Sequence, residues 1–358
     1  MGRKQNLSPR PNQSHFHHSV TTSSQFETFR TLLCQLGAAI RDTLRAQQHR
    51  PVEQLASVAE RSTADVIYEI DKVSEELILR WLEENWPENL PVQLVMEGIE
   101  DDQLVSFPTA TPLGKTAYKL IIDPIDGTRG LMYDKRSAWA LIGLAPQRGP
   151  TTTLEDISVA AMTELPTSKQ FISEQLSATR STNGVTSFHR VSTDLIRKTE
   201  TRLPASPSQA NELSHGFLSV AKFFPQCKAA LAAFEEELCH ELTPAAERAE
   251  ALIFDDQYIS TGGQLYELIA GHDRLVIDIR PLAYAKHGYA QSLTCHPYDL
   301  CAALVARAAG VVVETAEAPE LAIPLDTTTT VSWIAYANVQ LADRVRPVLT
   351  ELIQKHFD

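Results

Sequence analysis

Apolar residues recur at three- and four-residue intervals from Gln25 to Gln48, where Phe26, Phe29, Leu32, Leu33, Leu36 and Ile40 share one face; the spacing predicts an amphipathic helix. A shorter helix is expected over Val52–Glu60. Ala64–Ile70 reads as extended. Asp71 then precedes a second amphipathic helix, with Val73, Leu77, Ile78, Trp81 and Leu82 on its apolar face and Pro87 ending it. Asp71 is thus a candidate N-cap. Val92–Met96 reads as a strand with Glu97 at its end, and residues 100–115 as an acidic, then Pro- and Thr-rich loop. Leu120-Ile121-Ile122 is a wholly apolar run suited to a buried strand. That strand is expected to stop at Asp123, because Pro124 cannot donate to a ladder. Ser137–Leu144, Ile157–Thr163 and Lys169–Ser173 continue as strands of an antiparallel meander.

The pattern weakens over residues 175–215, which are rich in Ser, Thr and Asn and read as a boundary region with short elements. Residues 217–250 read as helical and acidic, with Glu235, Glu236 and Glu237 on a solvated face. Ser260-Thr261-Gly262-Gly263 forms a turn into a helix over Gln264–Ala270, and Leu275–Ile279 follows as a strand. Leu300, Cys301, Leu304, Val305 and Ala308 make one apolar helical stripe, with Asp299 at its start and Gly310 as a C-terminal cap. Val311–Glu314 and Val331–Ala335 are strands, and Val339–His356 a closing helix. Residues 1–23 are polar and lack periodicity, as in a disordered tail.

A chain of 358 residues with 43% apolar content can build two domains or one large layered one. Its formal charge of −13 argues against nucleic acid as the main partner. A small phosphorylated metabolite remains compatible, because a bound metal inverts the local charge. The five cysteines form no CxxC pair, and so odd and sparse a set fits the reduced thiols of a cytoplasmic protein. Cys239-His240 and Cys295-His296 are isolated pairs, short of the four ligands of a structural zinc site. No apolar run reaches the length of a membrane span. The basic start, Met1–Asn6, has no apolar stretch behind it, and Asn6 stands where a myristoylation pattern has Ser or Thr.

The chemistry concentrates in Asp123-Pro124-Ile125-Asp126-Gly127-Thr128. Two carboxylates this close repel unless a cation lies between them, and a hard divalent ion such as Mg2+ prefers oxygen ligands. Gly127 permits close backbone approach to a ligand, and a helix starting there would turn its free N–H groups toward an anion. The stretch reads as a metal-plus-phosphate site.

The order Asp71, Glu97, Asp123-Pro-Ile-Asp-Gly-Thr128, Asp299-Leu-Cys-Ala-Ala and Gly310 resembles the inositol monophosphatase family. That family belongs to a superfamily with the fructose-1,6-bisphosphatases and the 3′(2′),5′-bisphosphate nucleotidases. The resemblance covers roughly residues 30 to 350 and is weak between 175 and 255. It implies an α/β fold, a layered αβαβα sandwich, with an N-terminal α+β half over 24–174 and a C-terminal α/β half over 175–358. It implies Mg2+-dependent, lithium-sensitive hydrolysis of a small phosphate monoester, first an inositol-phosphate-like polyol phosphate, then a 3′(2′),5′-bisphosphate nucleotide, a sugar phosphate or histidinol phosphate. Glu97, Asp123 and the carbonyl of Ile125 would hold one Mg2+. Asp123, Asp126 and Asp299 would hold a second, and a third ion would use Glu97 through water. Gly127 and Thr128 would offer N–H groups to the phosphate, and Asp71 with the Thr128 hydroxyl would activate the attacking water. Homodimers are common among such proteins.

The chain also departs from the family. Met96 and Gly98 flank Glu97 where the family usually has Gly and a second Glu, Arg129 and Gly130 follow the Gly-Thr pair, and Tyr298 replaces the usual Trp. Pro281–Thr294 is longer than usual and lies where the family selects its substrate. The flanks of Glu97 also admit a non-catalytic, regulatory metal-binding relative.

Overall fold

Phe29, Leu33, Leu36 and Ile40 line the buried face of helix α1 (Ser23–Gln47), as their spacing predicts. The computed structural model describes residues 23–47, 58–61, 66–99 and 103–357 except 182, 185, 249 and 292, with backbone alone for 23, 58–61, 66–69 and 71. The helix expected over Val52–Glu60 falls largely outside these residues. Its end is instead part of a two-stranded antiparallel ribbon, β1 (Val58–Arg61) and β2 (Val66–Tyr68). Helix α2 (Glu69–Asn85) starts two residues before Asp71, so Asp71 stands within its first turn and is not the residue that precedes it.

The first sheet holds β3 (Val92–Met96), β4 (Val105–Phe107), β5 (Tyr118–Asp126), β6 (Ala138–Pro146), β7 (Val159–Leu165), β8 (Ile172–Arg180), β9 (Thr186–Asp194) and β10 (Thr199–Leu203), in the order β10-β9-β8-β7-β6-β5-β3-β4. Among the described residues of this sheet, only β3 and β5 pair in parallel. The meander thus runs on to Leu203, through the region read as a boundary and past the 174/175 division, which falls inside β8. A short helix, α3 (Thr128–Met132), leaves the end of β5.

The second sheet holds β11 (Gly216–Val220), β12 (Ile253–Phe254), β13 (Asp273–Asp278), β14 (Val312–Thr315) and β15 (Trp333–Tyr336), in the order β12-β11-β13-β15-β14. Its helices are α4 (Lys228–Leu242), α5 (Thr261–Ala270), α6 (Arg280–His287), α7 (Ala303–Ala308) and α8 (Val339–Phe357). The stretch read as helical over 217–250 therefore begins as a strand. Glu235 and Glu237 are not on a free face: Glu235 pairs with Lys222 at 2.9 Å and Glu237 with His356 at 2.7 Å.

Three buried apolar clusters separate five layers. One lies between α1 with α2 and the first sheet, one between the two sheets around α5 and α7, and one between the second sheet and α4, α6 and α8. This is the αβαβα sandwich. The inner strands are covered on both faces, which is why they read as unbroken apolar runs. In β5, Leu120 and Ile122 face the first cluster and Ile121 the second.

Candidate active site

The site begins at an irregularity in β5. Asp123 pairs with Leu141 and Asp126 with Trp139, so β5 spends one residue more than β6 across this interval. The strand does not stop at Asp123, as the sequence suggests, but continues through a bulge to Asp126. A bulge tolerates Pro124, whose missing N–H would interrupt a regular ladder. It also alters facing: residues three apart on a regular strand point to opposite sides, and the extra residue turns both carboxylates to one side. Ile125 N–H donates to Asp123 Oδ1 at 3.0 Å, and the Thr128 hydroxyl donates to the Ile125 carbonyl at 2.8 Å.

Gly127 follows with φ +96°, a left-handed conformation that favours glycine. A Cβ there would lie 3.0 Å from Ser260 Cβ and 3.1 Å from the Ile259 carbonyl oxygen. The end of β5 is thus pressed against the first turn of α5. That turn cradles Asp126: Ser260 Oγ donates to Oδ2 at 2.7 Å, Thr261 N–H to Oδ1 at 3.1 Å, and Gly262 N–H to Oδ2. Ser260 also caps its helix, its hydroxyl accepting from Gly263 N–H at 2.9 Å. The sequence marks Ser260–Gly263 only as a turn. Its partnership with Asp126, 134 residues away, has no local signal.

Asp299 comes from the second half. The helix expected to start there starts later, at Ala303, and Asp299 sits in the preceding turns. Its Oδ2 accepts from His296 N–H at 2.6 Å, which fixes the carboxylate direction, and the His296 ring stacks on Tyr298 at 5.2 Å. Oxygens of Asp123, Asp126 and Asp299 lie within 4.8 Å of one another. Glu97, just past β3, is tied to β5 by its N–H donating to the Ile122 carbonyl at 3.2 Å, and it lines the same cleft. The structure therefore brings together Glu97, Asp123, Ile125, Asp126, Gly127, Thr128 and Asp299. The side chain of Asp71 lies outside the described residues.

Electrostatics makes the purpose of the cluster legible. Burial pushes the Asp123 carboxyl well above the ordinary range, and the neighbouring charges of Glu97, Asp126 and Asp299 push it further. Burial likewise raises Asp126 to about 6, against the lowering effect of Ser260, Gly262 and Thr261. Acids that mutually disfavour ionisation, held with oxygens converging, match a hard divalent cation and suit no softer metal, since neither Cys nor His is among them.

A second tie joins the halves beside the site. Arg136 donates to Asp256 through both terminal nitrogens, at 3.0 and 2.7 Å, and lies 3.8 Å from the Tyr258 ring centroid. The Tyr258 hydroxyl donates to the Ser137 carbonyl at 2.8 Å. The segment that follows α3 is thereby fixed to the segment that enters α5.

No protein-family model and no curated protein matches this chain. Solved structures do. The extragenic suppressor protein SuhB from Bartonella henselae matches with a TM-score of 0.57 at 16% identity, over 93% of this chain and 99% of that one. Fructose-1,6-bisphosphatase from Leishmania major matches with a TM-score of 0.62 at 14% identity, over 93% and 100%. An inositol monophosphatase from Zymomonas mobilis matches with a TM-score of 0.53 at 16% identity, over 90% and 98%. This chain has the fold that these proteins share, the fold that the Asp-Pro-Ile-Asp-Gly-Thr resemblance implies.

Proposed function

We propose that the protein is a Mg2+-dependent hydrolase of a small phosphate monoester. The observation that carries this reading is the convergence of Asp123 and Asp126, turned to one side by the β5 bulge, with Asp299 from the other half of the chain. The phosphatases among the structures of like fold support it. In this reading Glu97, Asp123, the Ile125 carbonyl, Asp126 and Asp299 hold two Mg2+ ions. Bound there, Mg2+ supplies a Lewis acid for the phosphoryl oxygens and lowers the pKa of coordinated water.

The chain's own groups do the rest. The α5 turn keeps Asp126 aimed, and the His296 N–H keeps Asp299 aimed, so the carboxylates need little reorganisation when charge develops. The N–H groups of Gly127 and Thr128 orient the phosphate. Asp71 would take the proton of the attacking water, and the oxygen of the Thr128 hydroxyl, which itself donates to the Ile125 carbonyl, would accept a hydrogen bond from that water and orient it. Among substrates, the resemblance puts polyol phosphates of the inositol type first and bisphosphate nucleotides second.

Phosphate release from a panel of monoesters tests the proposal. Release is expected with Mg2+, not with EDTA, and to fall at least about 100-fold in Asp126→Asn, as loss of a metal ligand demands. Undiminished release in that variant would reject the mechanism, and tight Mg2+ binding without turnover on any ester would favour a non-catalytic relative.

A further inference from the structure

The wall of the cleft that faces the acids is built from the carboxyl ends of two neighbouring parallel strands, β11 and β13. Phe223 and Phe224 follow β11, and Arg280 follows β13. The two phenyl rings stand edge to face, centroids 6.4 Å apart. The Arg280 guanidinium lies 4.9 Å from the Phe223 centroid and 5.8 Å from that of Phe224. Three of its five N–H groups go to Asp278 at 2.8 and 2.6 Å and to the Leu293 carbonyl at 2.7 Å. This neutralised, buried fork braces the rings.

Ile259 and Leu293 complete an apolar wall. Two hydroxyls beside it are engaged, Ser260 with Asp126 and Gly263, and Thr294 with the Gln291 carbonyl at 2.8 Å, while Arg129, Thr261 and His296 line other parts of the cleft. The carboxylates among the described lining residues are Glu97, Asp123, Asp126 and Asp299, all in the acidic cluster. A polyol brought against Phe223, Phe224, Ile259 and Leu293 would lose water from its hydroxyls and find no hydrogen-bond partner in those side chains, which is costly. A flat aromatic ring would lose little and gain stacking contact.

The geometry points to a leaving alcohol that carries a flat aromatic ring, that is, to the phosphate monoester of a nucleoside in preference to a polyol phosphate. Phe223 and Phe224 are the residues that impose the preference, with Arg280 positioning them. This rests on the phosphatase reading for its catalytic consequence and departs from the ranking of substrates that the resemblance implies.

Matched esters test it on the full chain with Mg2+. Adenosine 3′-phosphate and myo-inositol 1-phosphate both release secondary alkoxides, and adenosine 5′-phosphate differs from ribose 5-phosphate only by the base. In each pair kcat/KM is expected to favour the adenosine ester at least about tenfold, within the range that base stacking on aromatic side chains supplies. Phe223→Ala and Phe224→Ala are each expected to cut that ratio at least about fivefold, chiefly through KM for the adenosine ester. A wild-type ratio of one or below, or a ratio unmoved in both variants, overturns the inference. Absence of turnover on every ester would instead reject the phosphatase reading. Calorimetric binding of the same pairs with Ca2+ in place of Mg2+ then reads the preference without turnover, and equal affinities there overturn the inference on its own ground.

Discussion

Stripped of divalent ions, the protein is expected to lose stability as pH rises from 5 to 7, and Asp126 to account for a measurable part of the loss. Burial pushes its carboxyl from an ordinary 3.8 up to about 6. With the folded pKa above the unfolded one, the folded chain holds a proton that the unfolded chain has released. Stability is therefore full at low pH and falls as pH rises through 6. That rise corresponds to about 3 kcal/mol in total, of which roughly 1 kcal/mol falls between pH 5 and 7. Asp123, raised by burial and by its acidic neighbours, adds in the same direction. The assay is urea unfolding in EDTA at pH 5, 6 and 7, for the wild type and for Asp126→Asn. Comparing the two profiles separates residue 126 from other groups that titrate nearby in pH, such as the buried Asp273, which is raised to about 7. The wild type should lose at least about 1 kcal/mol more than the variant over this range. Mg2+ should flatten the wild-type profile, because the ion binds the ionised folded form. Parallel profiles for the two proteins would refute the claim that burial of Asp126 outweighs its three hydrogen bonds in the metal-free state.

Two further substitutions probe how the halves are joined. Gly262→Ala would put a Cβ 2.6 Å from Leu141 Cδ2 and 3.0 Å from Asp126 Oδ2, an overpacking worth about 1–3 kcal/mol that also displaces the Asp126 carboxylate. Thermal unfolding and Mg2+ calorimetry should both register it, whereas Gly114→Ala, with no atom within 4 Å of the added methyl, should leave both unchanged. Arg136→Ala removes the fork on Asp256 and the contact with Tyr258; its partly exposed ion pair limits the stability cost to about 1–2 kcal/mol, but Mg2+ binding should weaken severalfold as the α5 turn loosens. Lysine at 136 should not restore it, because an ammonium reproduces neither the fork nor the planar stacking; full restoration by Arg136→Lys would show that charge alone suffices.

What could be read from the chain follows from how each element is buried. The strands β3, β5, β6 and β7 are covered on both faces, so their apolar runs stand out, and their positions agree with the structure to within a few residues. The polar strands β9 and β10 lie toward the sheet's edge, and Ser, Thr and Arg residues there hide the period-two pattern. Their register is held by features that a linear pattern does not reveal, such as Glu174 on β8 pairing with Arg190 on β9 at 2.6 Å. The site divides the same way. Asp123, Asp126, Gly127 and Thr128 are contiguous, and their chemistry shows locally. Asp299 was legible only through the resemblance, and its placement depends on the turn at His296 rather than on a helix start. Ser260, Arg136 and Phe223 act on groups far away in sequence, and nothing in their neighbourhoods announces it.

The central claim is that acids from both halves of the chain share one set of divalent ions. Anomalous diffraction from crystals grown with Mn2+, an oxygen-preferring stand-in for Mg2+, tests it most directly. The account predicts a peak coordinated at once by Asp123, Asp126 and Asp299, and a second beside Glu97 and the Ile125 carbonyl. A cleft without anomalous density, or an ion bound with Asp299 turned away from it, would contradict the account.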